Sequence, residues 1–196
     1  EGLAGHGAYW GSADAVELGR LANVHTPQLR SFDAKGNRLD TVEFHPAYHA
    51  VMHRSVGVGL HCSTWDDSAA EAGNRHSLRA ARLYMTAQIE CGHICPMTMT
   101  NAATAALRHQ GEIAGEWLPM IRSRKYDGAF KPPAQKAGVT LGMGMTEKQG
   151  GTDVRTNTSR ADGPAEDGTY RITGHKWFLS APMSDAFLVL AQAAGG

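Results

Sequence analysis

The sequence predicts an α+β chain in which a helical domain, residues 1–128, precedes the first part of a β domain, residues 129–196. Three observations carry that expectation. Apolar residues recur at helical spacing through the first 125 positions, and the period falls to two from Val139 onward. Turn-forming residues, Tyr126-Asp127-Gly128 and Pro132-Pro133, separate the two regimes. With 42% hydrophobic and 19% charged residues in 196, the chain has enough apolar side chains for a core and too many for disorder.

Ser12 is placed to cap a helix with Ala15, Leu18, Leu21 and Ala22 on one face. Pro27 and the Lys35-Gly36-Asn37 turn mark a loop. Pro46 suits a first helical turn, and the helix it opens should reach Gly57 or Gly59. Another should start near Asn74, with Leu78, Ala81, Met85 and Ile89 as its buried stripe. Pro96 either kinks that helix or separates it from one through Ala102–Leu107. Ile113, Trp117, Met120 and Ile121 share a face of a last helix, which completes a bundle with short connections. Val139, Leu141, Met143 and Met145 alternate as in a half-buried strand, residues 168–172 read as another, and Phe187-Leu188-Val189-Leu190 as a buried third. Few strands with open edges rarely stand alone, which predicts a β domain continuing past residue 196.

Nineteen basic residues balance nineteen acidic ones, so no net field draws the chain to nucleic acid or an anionic membrane. No stretch approaches the roughly 20 apolar residues of a membrane helix. The start lacks the basic and apolar regions of a signal peptide; it also lacks an initiator Met, which predicts earlier residues in the natural protein. Cys62, Cys91 and Cys95 form an odd set that argues against a disulfide framework and fits a reducing cytoplasm. His45, His49 and His53 recur every four residues, and Cys91-Gly92-His93-Ile94-Cys95 also has metal-like spacing. No His-Glu-x-x-His accompanies the histidines, and the cysteines end a helical stretch, so surface histidines and small packed cysteines are the plainer readings.

The segment richest in chemistry is Gly142-Met143-Gly144-Met145-Thr146-Glu147-Lys148-Gln149-Gly150-Gly151-Thr152-Asp153. Glycines let a ligand approach the backbone, and their N–H groups form anion-holding concavities. Thr146 and Thr152 add hydroxyls. Such a loop suits a planar, polar-edged heterocycle joined to a pyrophosphate. A dinucleotide fingerprint beginning at Gly142 fails, because Glu147 occupies the third glycine's place and no helix pattern follows. On the loop alone, a plain hairpin remains the alternative.

Taken with Gly174-His175-Lys176-Trp177-Phe178-Leu179-Ser180, the loop resembles the acyl-CoA dehydrogenases, whose Met-Thr-Glu-x-x-x-Gly-Ser-Asp loop precedes a Gly-x-Lys-x-Trp-Ile-Thr/Ser segment and an apolar strand. Here Met145-Thr146-Glu147, Gly151-Thr152-Asp153, Gly174, Lys176, Phe178-Leu179-Ser180 and Ala186–Ala191 stand in that order. Lys148-Gln149-Gly150 in place of a proline-containing turn, Val42-Glu43-Phe44-His45-Pro46-Ala47 and Cys95-Pro96 are similar to the AidB-like, alkylation-response branch. The resemblance covers nearly the whole chain.

That resemblance implies an all-α acyl-CoA dehydrogenase-type helical domain followed by the first part of an antiparallel β-barrel domain, in a cytoplasmic homotetramer that binds FAD and an acyl-CoA or similar small molecule. It assigns cofactor contacts to Met143, Gly144, Met145, Thr146, Gly151, Thr152, Phe178, Leu179 and Ser180. Met145 and Thr146 would meet the pyrimidine edge of the flavin, Thr152 its phosphate side and Ser180 its N5. Phe178, in place of a Trp, would wall one face without that Trp's N–H donor. In the family a glutamate removes the proton alpha to a thioester while hydride leaves the beta carbon for the flavin. That base comes from a C-terminal helical domain, absent from this chain, so no residue here is assigned as catalytic, and residues 1–196 alone are expected to turn over no acyl-CoA. Glu147 belongs to the cofactor loop. One rival is a protective flavoprotein that contacts double-stranded DNA through the C-terminal region, with vestigial dehydrogenation; another is a structural fragment inactive by itself. Arg75, Arg79 and Arg82 on one helical face, and Arg122, Arg124 and Lys125 at a helix end, read as solvated charge or, under the first rival, as phosphate contacts. Met97, Met99 and the small residues Thr98, Thr100, Ala102 and Ala103 suit core packing or an acyl pocket.

Overall fold

The computed structural model describes residues 2–66 and 73–194. Its first helix, α1 (Leu3–Trp10), is absent from the apolar pattern because Gly5 and Gly7 weaken local propensity. Tertiary burial of His6 and Trp10 holds it instead. In α2 (Ala13–Val24) the Ser12 hydroxyl accepts from the Ala15 N–H at 3.2 Å, the cap its position predicts. Gly19 lets α2 approach the turn after the fourth helix, since a Cβ there would stand 2.4 Å from the Ile89 carbonyl oxygen.

The segment expected to be a loop is an antiparallel hairpin, β1 (Gln28–Phe32) with β2 (Arg38–Glu43), so the first domain is not all-α. Asp33 closes its turn by accepting from the Lys35 and Asn37 N–H groups and the Asn37 side chain. Leu29, Phe32 and Leu39 are exposed, so the strands show no buried alternation in the sequence.

Pro46 opens α3 (Pro46–Gly57), whose inner face supplies Tyr48, Met52 and Val56 to a core shared with Leu60 and Met97. The stripe predicted on α4 (Arg75–Ala87) is only half-buried; Arg82 and Thr86 take its innermost positions. His6 Nε2 lies 3.0 Å from the Thr86 hydroxyl and 3.1 Å from the Arg82 carbonyl, which satisfies polar groups in that face. Pro96 falls early in α5 (Ile94–Leu107), separate from α4, so it starts a helix rather than kinking one. In α6 (Gly111–Ile121) only Ile121 is buried, while Ile113 is exposed.

The two parts join where α5 meets β3 (Leu141–Gly144). The Thr100 hydroxyl accepts from the Leu141 N–H at 3.0 Å, and Ala103, Ile121, Val139 and Leu141 form a second core there. β3 pairs in parallel with β6 (Ala186–Val189), from Leu141↔Ala186 to Gly144↔Val189. β4 (Arg160–Asp162) pairs antiparallel with β5 (Arg171–Thr173) and parallel with β7 (Gln192–Ala193). The antiparallel sense expected throughout thus holds for one strand pair of this part, and β6 is half-buried rather than buried. Clean alternation in β3 also fails, because Gly142 and Gly144 are buried beneath Phe187 and Leu179.

Gly19→Ala tests the helix approach. Alanine gains roughly 1 kcal/mol of helix propensity, but the clash with a backbone oxygen demands a shift of the kind that costs about 1–3 kcal/mol. The variant is expected to lose stability in urea unfolding despite the better helix former.

Candidate functional site

β3 ends at Gly144, and the chain continues through Met145, Thr146 and Glu147. The Trp177 N–H donates to the Thr146 carbonyl at 2.9 Å, and the Leu190 N–H to the Gly144 carbonyl at 3.2 Å. The stretches around Thr146 and Ser180 therefore run side by side. Gly144 permits this contact, because a Cβ would stand 2.7 Å from Leu179 Cδ1.

Glu147 anchors the loop from within. It is 2% exposed. Its Oε2 accepts from the Thr158 N–H at 2.7 Å, the Thr158 hydroxyl at 2.8 Å and Gln149 Nε2 at 2.8 Å. Its Oε1 accepts from the Ser159 N–H and from Lys176 Nζ, each at 2.9 Å. The Thr158 N–H bond, joined by Ser159, Gln149 and Lys176, overcomes burial and holds the carboxyl well below the usual carboxylate range. Asn157 Nδ2 donates to the Met145 carbonyl at 2.9 Å, fixing the adjoining backbone. The sequence put Glu147 in this loop but did not reveal its structural role; the signal lies in Lys176 and Thr158-Ser159, far along the chain.

The outer surface of the same stretches is apolar. Met145 is 51% exposed and Phe178 76%, with Trp177 and Leu179 beside them. Next to this shelf, the Thr146 N–H and hydroxyl have no partner among the described residues. Phe178 and Ala181 adopt left-handed backbone conformations, φ 59° and 54°, which cost non-glycine residues about 1 kcal/mol or more. The Ser180 hydroxyl makes only a long 3.4 Å bond to the Phe178 carbonyl. Gly151 lies against Thr146, where a Cβ would stand 2.8 Å from Oγ1, and Thr152 is exposed on the same loop. Met143 packs toward the second core instead. An apolar shelf with an unpaired donor edge suits a flat ring bearing polar atoms along one side.

Beside Ser180 opens a cleft of about 470 Å³ between the helical part and residues 180–183, lined by Tyr48, Glu90, Cys95, Pro96, Ser180 and Met183 among others. Sequence reasoning did not single out Tyr48 or Glu90. Met97 and Thr100 are fully buried, so they serve the core. His45 caps α3 and stacks on His25, His49 bonds the Tyr126 hydroxyl at 2.8 Å, and His53 is exposed. Arg82 is buried, and Arg79 Nε donates to the Leu60 carbonyl at 2.7 Å, so this helix face is no solvated basic strip. Arg124 bonds Asp66.

Because the folded carboxyl of Glu147 titrates below its unfolded value of about 4.3, its stabilising effect is complete above that value and is lost as pH falls. Glu147→Gln should unfold at lower urea than the wild type at pH 7, with the gap narrowing toward pH 3. A gap constant across that range contradicts the assignment.

Residues 1–128 match the family model of the adaptive response protein AidB N-terminal domain, and residues 142–196 that of the acyl-CoA dehydrogenase middle domain. The chain is 49% identical over 195 residues to the putative acyl-CoA dehydrogenase AidB of Escherichia coli, covering 99% of this chain and 36% of that protein. It is 29% identical over 186 residues to acyl-CoA dehydrogenase family member 11 of Caenorhabditis elegans, covering 92% of this chain and 28% of that one. Among solved structures, Caenorhabditis elegans ACDH-11 in complex with C11-CoA superposes with a TM-score of 0.79 at 29% identity, over 94% of this chain and 30% of that one. The apo-form of Bd2924 gives 0.77 at 26% identity, over 94% and 36%. The chain thus spans only about a third of the length of these relatives, yet with both parts matched in order it belongs to the acyl-CoA dehydrogenase family and carries an N-terminal domain of the AidB type.

Proposed function

We propose that residues 1–128 and 129–196 are two domains of an FAD-binding, AidB-like oxidoreductase that acts on the CH–CH bond of an acyl-CoA. The contact between the Thr146 and Trp177–Ser180 stretches, with its exposed shelf and unpaired donors, carries this reading. These features fit an isoalloxazine ring: apolar surface for its face, and donors for the oxygens and nitrogens of its pyrimidine edge.

Bound FAD supplies the hydride acceptor. The Met145 and Thr146 backbone and the Thr146 hydroxyl orient the ring's polar edge, while Phe178 and Leu179 cover its face and exclude water. Gly144 keeps the backbone close to the ring. Gly151 and Thr152 serve the phosphate side, and the Ser180 hydroxyl offers a hydrogen bond at N5. An acyl-CoA substrate is supported by the C11-CoA in complex with ACDH-11, and the mostly apolar cleft beside Ser180 would take its acyl part. Neither Glu147, with five donors, nor Glu90, with His93 and Gly92, is free to remove a proton from substrate. In keeping with the family likeness, the proposal takes the base from outside the described residues, and a homotetramer in the cytoplasm belongs to the same proposal. An associated role in the response to DNA alkylation goes with the AidB likeness. The inward-facing Arg79 and Arg82 favour the acyl-CoA reading over direct DNA contact by this chain.

The intact protein should absorb as a flavoprotein and take up added FAD. Thr146→Ala should weaken FAD binding about tenfold, the usual effect of removing a ligand hydrogen bond in a protected site, and Ser180→Ala should alter the flavin absorbance envelope. A colourless protein that refuses added FAD overturns the proposal.

A further inference from the structure

The cleft beside Ser180 is mostly apolar, but one wall carries two polar groups. Tyr48 is 8% exposed, and its hydroxyl has no hydrogen-bond partner. Among the buried unpartnered side-chain atoms of the described residues, it alone belongs to a residue lining this cleft. Its ring is fixed by stacking on Phe44, centroids 4.3 Å apart. Buried hydroxyls in native proteins are nearly always paired, so an unpaired one on a residue that lines a cleft points to a ligand atom. Burial, with Tyr126, Glu90 and Cys95 nearby, raises the phenol's pKa and keeps it a donor.

The second group is Glu90. Its Oε1 accepts from the Gly92 N–H at 2.7 Å and Asn23 Nδ2 at 3.4 Å. Its Oε2 accepts from the His93 N–H at 2.7 Å and His93 Nδ1 at 2.6 Å. His93 Nε2 lies 2.8 Å from the Ser55 hydroxyl, giving the connectivity of a hydrolytic triad. Ser55 is 0% exposed, however, so no substrate reaches it. Ser55 and His93 are positioning residues for the carboxylate. Burial pushes that carboxyl upward, but the His93 and Gly92 bonds prevail and hold it at about 2. With its lone pairs occupied, Glu90 stands in the wall as an ionised carboxylate held by His93 and Gly92 rather than as a bonding partner for a ligand.

We propose that Tyr48 and Glu90 set the specificity of this cleft, favouring an acyl group with an uncharged hydrogen-bonding substituent and rejecting one that ends in a carboxylate. The inference rests on the acyl-CoA reading given above and deepens it. A ligand hydroxyl would pair the stranded phenol, while a ligand carboxylate would meet a like charge at low dielectric.

The test is equilibrium titration of the FAD-loaded intact protein with butyryl-CoA, 3- and 4-hydroxybutyryl-CoA and succinyl-CoA, followed by calorimetry and the flavin spectrum. At least one hydroxyacyl thioester should bind about tenfold more tightly than butyryl-CoA, and succinyl-CoA at least tenfold more weakly. Tyr48→Phe should erase the hydroxyl preference while its unliganded melting temperature stays level or rises, because an unpaired buried group is removed. Glu90→Gln should narrow the discrimination against succinyl-CoA. Equal wild-type affinity for all four thioesters, or a hydroxyl preference that survives in Tyr48→Phe, overturns the inference while leaving the acyl-CoA reading intact. If FAD binds but neither the four thioesters nor a C11 acyl-CoA does, the acyl-CoA reading itself fails and this inference with it.

Discussion

The Glu147 carboxylate gathers the loop after β3, the segment leading into β4 and the Lys176 segment after β5 into a single unit. These segments share little apolar contact: β4, β5 and β7 are almost wholly exposed. A charged acceptor with five donors takes the place of a core there, since charge-assisted hydrogen bonds are stronger than neutral ones and their directions fix geometry. Everything proposed for the outer surface depends on this inner knot. With Glu147 holding Lys176 and Thr158 inward, Met145, Trp177 and Phe178 are left to face outward.

The helical part solves a related problem differently. Its cores are small and several of its innermost positions are polar, among them His6, Thr86, Glu90, His93 and Ser55. Trp10 stacks on His93 at 6.0 Å, so apolar and hydrogen-bonded packing alternate through the same layer. Such networks specify one arrangement when their members are satisfied. They also link α3, through Ser55, to the turn that carries Glu90 at the cleft.

Much of this was legible in the sequence, and the failures have physical causes. Ser12 and Pro46 announced their helices because capping and a fixed φ are local effects. The approach of the 174–180 stretch to the Thr146 loop is what the family resemblance implies, and the Trp177–Thr146 hydrogen bond joins the two stretches. The β1–β2 hairpin was missed because its apolar side chains face solvent, leaving no alternation to detect. Periodicity identifies α4 as a helix but misses its innermost positions, since it counts apolar residues and this helix buries Arg82 and Thr86. Tyr48 and Glu90 were invisible as a pair, because only the tertiary fold brings α3 and the α4–α5 turn to one cleft.

The left-handed backbone at Phe178 and Ala181 limits how this surface can vary over evolution. A side chain branched at its Cβ crowds its own backbone at positive φ, so valine or isoleucine is disfavoured at either position however well its size and polarity suit the neighbours. Unbranched and aromatic side chains remain the tolerated set. Sequence drift along the Ser180 segment is thus channelled by the bends on either side of the serine, before any ligand exerts selection.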